Sequence, residues 1–257
     1  MATGQDTEPS PLGGELAFEE TDFDALAGAR AKDPEWTGRR LEARRRLLTL
    51  AKAFAKRSKT LGTPLDVRTS LHHPHAFNGM AVRRLWAYIT RTKAEKTGLR
   101  KVLGRDLAKD LNSAYRNAYL CLAIEPDRLE VSLRIHVDAW YDGQHLVNRV
   151  KAEGLASWLE ILNQLDGFQL RLHDWRGEWP LGSLTLEQLE EFLRHYTPGE
   201  HQLVVDRRWP VPPAGNRAPV LGEEVPGILL AELERLLPLY RYTVWTPGSE
   251  HLFSSSV

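Results

Sequence analysis

Residues 119–141, YLCLAIEPDRLEVSLRIHVDAWY, restrict the fold more tightly than any other stretch of the chain. Every side chain over 119–124 is apolar, the pattern of a strand covered on both faces. From Leu129 the pattern alternates. Leu129, Val131, Leu133, Ile135 and Val137 fall on one side of an extended chain, and Glu130, Ser132, Arg134, His136 and Asp138 fall on the other. Between the two arms, Glu125, Pro126, Asp127 and Arg128 have turn chemistry: proline fixes φ at the second position and aspartate suits the third. The stretch reads as a β-hairpin, which calls for an antiparallel sheet with one apolar and one polar face.

The remaining pattern interleaves helices with strands. Helical spacing appears over residues 37–60, where Leu41, Leu47, Leu48, Ala51, Phe54 and Ala55 form an apolar stripe, Arg45, Lys52, Lys56 and Lys59 lie opposite, and Gly62 marks the stop. Two more basic amphipathic helices are expected. One covers residues 80–96, with Met80, Leu85, Trp86 and Ile89 inward and Arg83, Arg84, Arg91 and Lys93 outward. The other covers 99–117, with Leu99, Leu103, Leu107, Leu111 and Ala114 inward and Arg100, Lys101, Arg105, Lys109 and Arg116 outward. Beyond the hairpin, Asp142 is a cap candidate for a helix ended by Gly154, followed by a helix over 155–165. Phe168, Leu170 and Leu172 alternate against Gln169, Arg171 and His173 as a strand, and Thr185 with Gln188 forms a capping box for a helix over 186–196. Residues 201–206 and 240–246 read as strands flanking a leucine-rich helix over 223–237. The expected fold is α+β: a mainly antiparallel sheet with a basic N-terminal helical layer and further helices interleaved.

At 257 residues and 42% hydrophobic content the chain is long enough to bury a full core. We read residues 1–18 as an acidic, disordered tail and 19–257 as one domain, with a basic helical part over 19–117 and a sheet-containing part over 118–257. The single cysteine, Cys121, excludes an intrachain disulfide and fits a reducing, cytoplasmic setting. No window approaches the ~18 uncharged apolar residues that a membrane span requires.

The formal net charge of zero hides a segregation. Residues 1–28 carry seven acidic and no basic side chains, 29–116 carry 22 Lys/Arg against seven Asp/Glu, and 117–257 carry 12 against 20. A basic third of this kind points to nucleic acid, to another polyanion or to an acidic protein surface, with membership of a larger complex consistent with either. Candidate phosphate contacts are Arg45, Lys52, Lys56, Lys59, Arg83, Arg84, Arg100, Lys101 and Arg105. Trp86, Tyr88 and Tyr115 lie among these cations, where they serve either the core or the stacking of unpaired bases. The acidic leader either screens the basic body or is simply solvated.

The competing reading is catalytic. His72, His73 and His75 cluster in LHHPH; on an extended strand His73 and His75 share a face and could contribute to a divalent metal site, although Pro74 precludes an HExxH-like helix. If the hairpin's second strand neighbours the 168–173 strand, Glu130, Arg134, His136 and Asp138 lie beside Arg171 and His173. His136, Asp138 and His173 could then perform acid/base or metal-assisted hydrolysis of a phosphorylated substrate. The plainer reading of those positions is a solvated sheet face. No GxSxG, P-loop, HExxH, CxxC or GxGxxG pattern is present. Non-enzymatic binding through the basic region, with no cofactor, is therefore the expectation to test first.

Overall fold

A computed structural model describes residues 16–172, 177–212, 222–249 and 251–252. The fold is α+β. Among the described residues, seven strands form one antiparallel sheet: β1 (Leu65–Thr69), β2 (Leu85–Arg91), β3 (Tyr119–Glu125), β4 (Arg128–Ile135), β5 (Gln169–Leu172), β6 (Glu178–Pro180) and β7 (Leu203–Pro210). They are ordered β1-β2-β3-β4-β7-β5-β6. The hairpin forms as its sequence dictates, with Glu125 opposite Arg128 and Leu120 opposite Leu133.

Pairing register divides the sheet cleanly, because side chains opposite one another share a face. Leu85, Ala87 and Ile89 of β2, Leu120, Leu122 and Ile124 of β3, Leu129, Val131 and Leu133 of β4 and Leu203 and Val205 of β7 point to one side and join one core. Helices pack on that side. The short α1 (Glu20–Asp24) leads into α2 (Thr37–Thr60), which lies across β1 and β2 and buries Ala43, Leu47, Leu50, Ala51 and Phe54. Its bounds match the apolar stripe read from sequence, and the chain leaves it through Gly62 at φ 80°. Leu16 and Phe18, at the end of the acidic leader, are also buried in this core. Residues 1–15 of the expected tail lie outside the described residues.

Three expected elements are different. Residues 80–96 do not form one helix: Gly79 and Met80 turn the chain in the left-handed region, and 85–91 is the strand β2. Of the apolar positions used to infer a helix, Leu85 and Ile89 also fit a two-residue period with Ala87, and sheet pairing on both sides decides the matter. The helix after it, α3 (Lys93–Leu107), starts six residues earlier than expected, because Thr92 and Glu95 form a capping box. It breaks at Gly104 (φ 77°, ψ 174°), and the chain reaches β3 through a single turn at Ala114–Arg116. Residues 240–246 are not a strand. Pro238 opens α8, the last of α4 (Trp140–Glu153), α5 (Leu155–Asn163), α6 (Leu186–His195), α7 (Val225–Arg235) and α8 (Leu237–Thr243).

Asp142 is not a cap but a buried side chain inside α4. It accepts from the Ala118 N–H at 2.7 Å, from the Trp245 N–H at 3.1 Å and from Arg91 Nη2, and so ties β2, the start of β3 and the C-terminal segment to one carboxylate. Arg40 does similar work under α1, where it donates to the carbonyls of Ala25, Arg30, Asp33 and His72.

Candidate nucleic-acid interface

The sheet face turned away from the helices is the polar one, and its middle is buried. In one row Trp86, Ala123, Glu130 and Arg208 stand side by side across β2, β3, β4 and β7; in the next come Tyr88, Cys121, Ser132 and Asp206, and then Thr90, Tyr119, Arg134 and Val204. In the first two rows the β3 residues are small, Ala123 and Cys121, so the face is low there and rises on either side. Aromatic rings form one bank and arginines the other.

The aromatic bank borders a groove of about 760 Å³ whose lining includes Phe77, Trp86, Tyr88 and Tyr115 together with Lys32, Arg83 and Arg84. Trp86 and Tyr88 meet edge to face with ring centroids 5.8 Å apart, and Tyr88 continues to Tyr119 at 5.0 Å. The Arg84 guanidinium lies 5.6 Å from the centre of the Trp86 ring. Ser70 fixes the strand end beneath: its Oγ accepts from the Trp86 N–H and its own N–H donates to the Trp86 carbonyl. Phe77 is 89% exposed, at the tip of the β1–β2 connection.

The histidine cluster builds that tip. His75 accepts from the Phe77 N–H through Nδ1 at 3.5 Å, its N–H donates to Asn78 Oδ1 at 2.8 Å, and its ring stacks on Phe77 at 5.1 Å. The Asn78 side chain in turn donates to the His73 carbonyl. His73 and His75 stand perpendicular at 6.1 Å, and no group of three or more His, Cys, Asp or Glu side chains suited to a metal ion occurs among the described residues. Phe77 was not singled out from the sequence. Its signal is an apolar residue in a histidine- and glycine-flanked loop, with no periodic partner to pack against.

The opposite bank corrects the expectation of a solvated face. Glu130 and Asp206 are 1% and 0% exposed, and arginines enclose them. Glu130 Oε1 accepts from Arg134 Nη2 at 2.6 Å, Arg84 Nη2 at 2.9 Å and Ser132 Oγ at 2.7 Å. Arg171 Nε donates to Asp206 at 2.9 Å, and Arg208 pairs with its other oxygen at 2.6 Å. Burial alone would raise the Glu130 carboxyl; the Arg134 and Arg84 charges override it and hold the group at about 2. Burial dominates at Asp206, whose carboxyl is raised despite Arg208 and Arg171. The assumed adjacency of the hairpin to the 168–173 strand is also corrected, because β7 runs between β4 and β5. Arg134 and Arg171 nevertheless lie in one row, with Val204 between them.

The other candidates disperse. His136 follows β4 and caps the turn Val137–Ala139, with Nδ1 3.2 Å from the Asp138 N and 3.5 Å from its carboxylate, while its ring edge meets Tyr115. His173 lies outside the described residues. Arg45, Lys52, Lys56 and Lys59 do form an exposed stripe on α2, but on the helical side of the sheet, and Arg100, Lys101 and Arg105 are exposed on α3. Of the nine proposed phosphate contacts, only Arg83 and Arg84 border the groove. Part of the segregated charge is neutralised internally. Glu19 and Asp22 of the leader pair with Arg39 and Arg46, and Asp24 pairs with Arg30.

No protein-family model matches the chain, and no match was found among curated proteins. Among the described residues, no helix is long and apolar enough to cross a membrane.

Proposed function

We propose that this chain binds single-stranded nucleic acid on the polar face of its sheet. The observation that carries the reading is the groove itself, where Phe77, Trp86, Tyr88 and Tyr115 stand among Lys32, Arg83 and Arg84. Rings of this kind offer π-faces to unpaired bases of any sequence, and flanking guanidinium and ammonium groups neutralise the backbone between them. A duplex keeps its bases stacked on one another and gains nothing from the rings, so the groove favours a single strand. The exposure of Phe77 agrees with that role, since a ring that is 89% exposed in the free protein gains burial when a base covers it.

The hydrolytic alternative has less support. His136 and Asp138 are engaged with each other and with a turn at the end of β4. A cytoplasmic setting goes with the binding reading, because the one cysteine is buried as a free thiol.

The test is equilibrium binding of labelled single- and double-stranded DNA and RNA over a salt series. Tighter binding of single strands, weakening log-linearly with salt, supports the reading. Absence of binding at low salt, or equal affinity for duplex, removes it.

A further inference from the structure

We infer that the arginine recess beside the groove receives the terminal phosphate of the bound strand, an inference that rests on the single-strand reading above. The recess has a volume of about 280 Å³ and is lined by Arg84, Arg128, Arg134, Arg171 and Arg208 over Glu130. It shares Arg84 with the aromatic groove, so the two adjoin at that side chain. Among the described residues, no aromatic side chain lines the recess and five guanidinium groups do, so this described lining favours an anion over a base.

Among the described residues, five arginines face five carboxylates, those of Glu125, Asp127, Glu130, Glu178 and Asp206, and the two innermost, Glu130 and Asp206, are sealed beneath them. What is in excess is donors, since each guanidinium carries five N–H groups. Arg128 directs Nε and Nη2 to Glu125, which leaves Nη1 outside that pair. The Nε atoms of Arg84 and Arg208 are buried and make no hydrogen bond among the described residues, their carboxylate neighbours being Glu125 Oε1 at 3.4 Å and Glu130 Oε2 at 3.8 Å. A buried donor left unsatisfied is costly, and an acceptor-rich ligand onto which these side chains turn relieves that cost.

A terminal phosphomonoester suits this set better than an internal diester. It carries close to two charges at neutral pH and three free oxygens, whereas a diester carries one charge and two. The planar forks of several arginines match such a group with paired, charge-assisted hydrogen bonds. Either end of a strand presents this chemistry, so the test distinguishes the two.

One short oligonucleotide is prepared with a 5′-phosphate, with a 3′-phosphate or with hydroxyls at both ends, and its binding to the whole chain is measured by fluorescence anisotropy at fixed ionic strength. The expected result is that one phosphorylated form binds about tenfold more tightly than the hydroxyl form, the gain from one or two charge-assisted hydrogen bonds. Arg128→Gln, at the rim and without contact to Glu130, removes the preference and leaves affinity for the hydroxyl form unchanged. Equal binding of all three forms by the unaltered protein overturns the terminal-phosphate inference while the single-strand reading stands. Failure of every form to bind overturns both.

Discussion

Arg84 Nη2 lies 2.9 Å from Glu130 Oε1, a contact that passes over β3 and links the aromatic bank of the sheet to the arginine bank. It forms because Ala123, directly between Trp86 and Glu130 in the pairing register, is too small to block it. Glu130 is thus the buried counterion on which both banks converge. Glu130→Gln keeps the volume but leaves Arg134 and Arg84 without their charge partner, and the expected loss of stability is about 3 kcal/mol in denaturant melts at pH 7. A loss under about 1 kcal/mol would mean that the cluster is solvated and its contacts are incidental.

The same carboxylate sets an acid limit. Its folded-state pKa, about 2, lies below the ordinary 4.5, so the stability it contributes is complete above pH 4.5 and is lost as pH falls from there towards 2. Asp206 acts in the opposite sense: its raised pKa lets the folded form take up a proton first, which favours folding as pH falls. Stability measured from pH 7 to pH 2 is therefore expected to decline less steeply below pH 4.5 in Glu130→Gln than in the unaltered chain. Parallel curves would show that the carboxyl titrates normally.

In the groove, Phe77→Ala removes a ring that is exposed and outside the core, so the melting transition is expected to stay where it is. Affinity for single-stranded nucleic acid is expected to fall by about 1–3 kcal/mol, the value of one stacked base. Trp86→Ala is expected to weaken binding similarly, with some loss of stability because its ring supports Arg84 and Tyr88. Unchanged affinity in Phe77→Ala, with the fold intact, would move the interface elsewhere on the molecule.

Much of this architecture was local enough to read from sequence. The hairpin has strict alternation and a proline turn, and α2 has 24 residues of one helical stripe; both are decided within their own segments. β2 was not, because its apolar residues satisfy two periods and only pairing with β1 and β3 selects one. Nor was the position of β7 between β4 and β5, a long-range pairing that no local pattern encodes. The buried arginine cluster was concealed by a sound rule. Alternating polar residues ordinarily face water, but here Glu130, Ser132 and Arg134 meet Asp206 and Arg208 from a strand some 75 positions away and bury one another. A DRR sequence in a strand of otherwise apolar residues was the available hint.

Cys121 lies at the bottom of the trough, fully buried, with its thiol raised by that burial and Arg84 Nη2 3.8 Å from its sulfur. Reactivity requires the thiolate and access to it, and Cys121 has neither in the folded chain. Its labelling by a thiol reagent is expected to be slow in the native protein, complete in denaturant and unaffected by an oligonucleotide. Fast native labelling that a bound strand suppresses would show instead that the trough opens in solution.

Two of the basic surfaces, the stripe on α2 and the mouth of the groove, lie on opposite sides of the sheet and compete for the phosphates of a bound strand. Each ion-paired phosphate of a single strand contributes about 0.7 to the slope of log affinity against log salt. If the strand lies in the groove, Lys32→Ala with Arg83→Ala removes two contacts and reduces the slope by about 1.4. Reversing Arg45, Lys52 and Lys56 to glutamate then leaves the slope within about 0.7 of its original value, since those side chains act only through a screened field. The reverse outcome, a slope sensitive to the helix and indifferent to Lys32 and Arg83, would place the phosphates on α2 and leave the aromatic groove to another ligand. Both variants change exposed side chains, so each is expected to fold as the parent does, and the comparison reads binding alone.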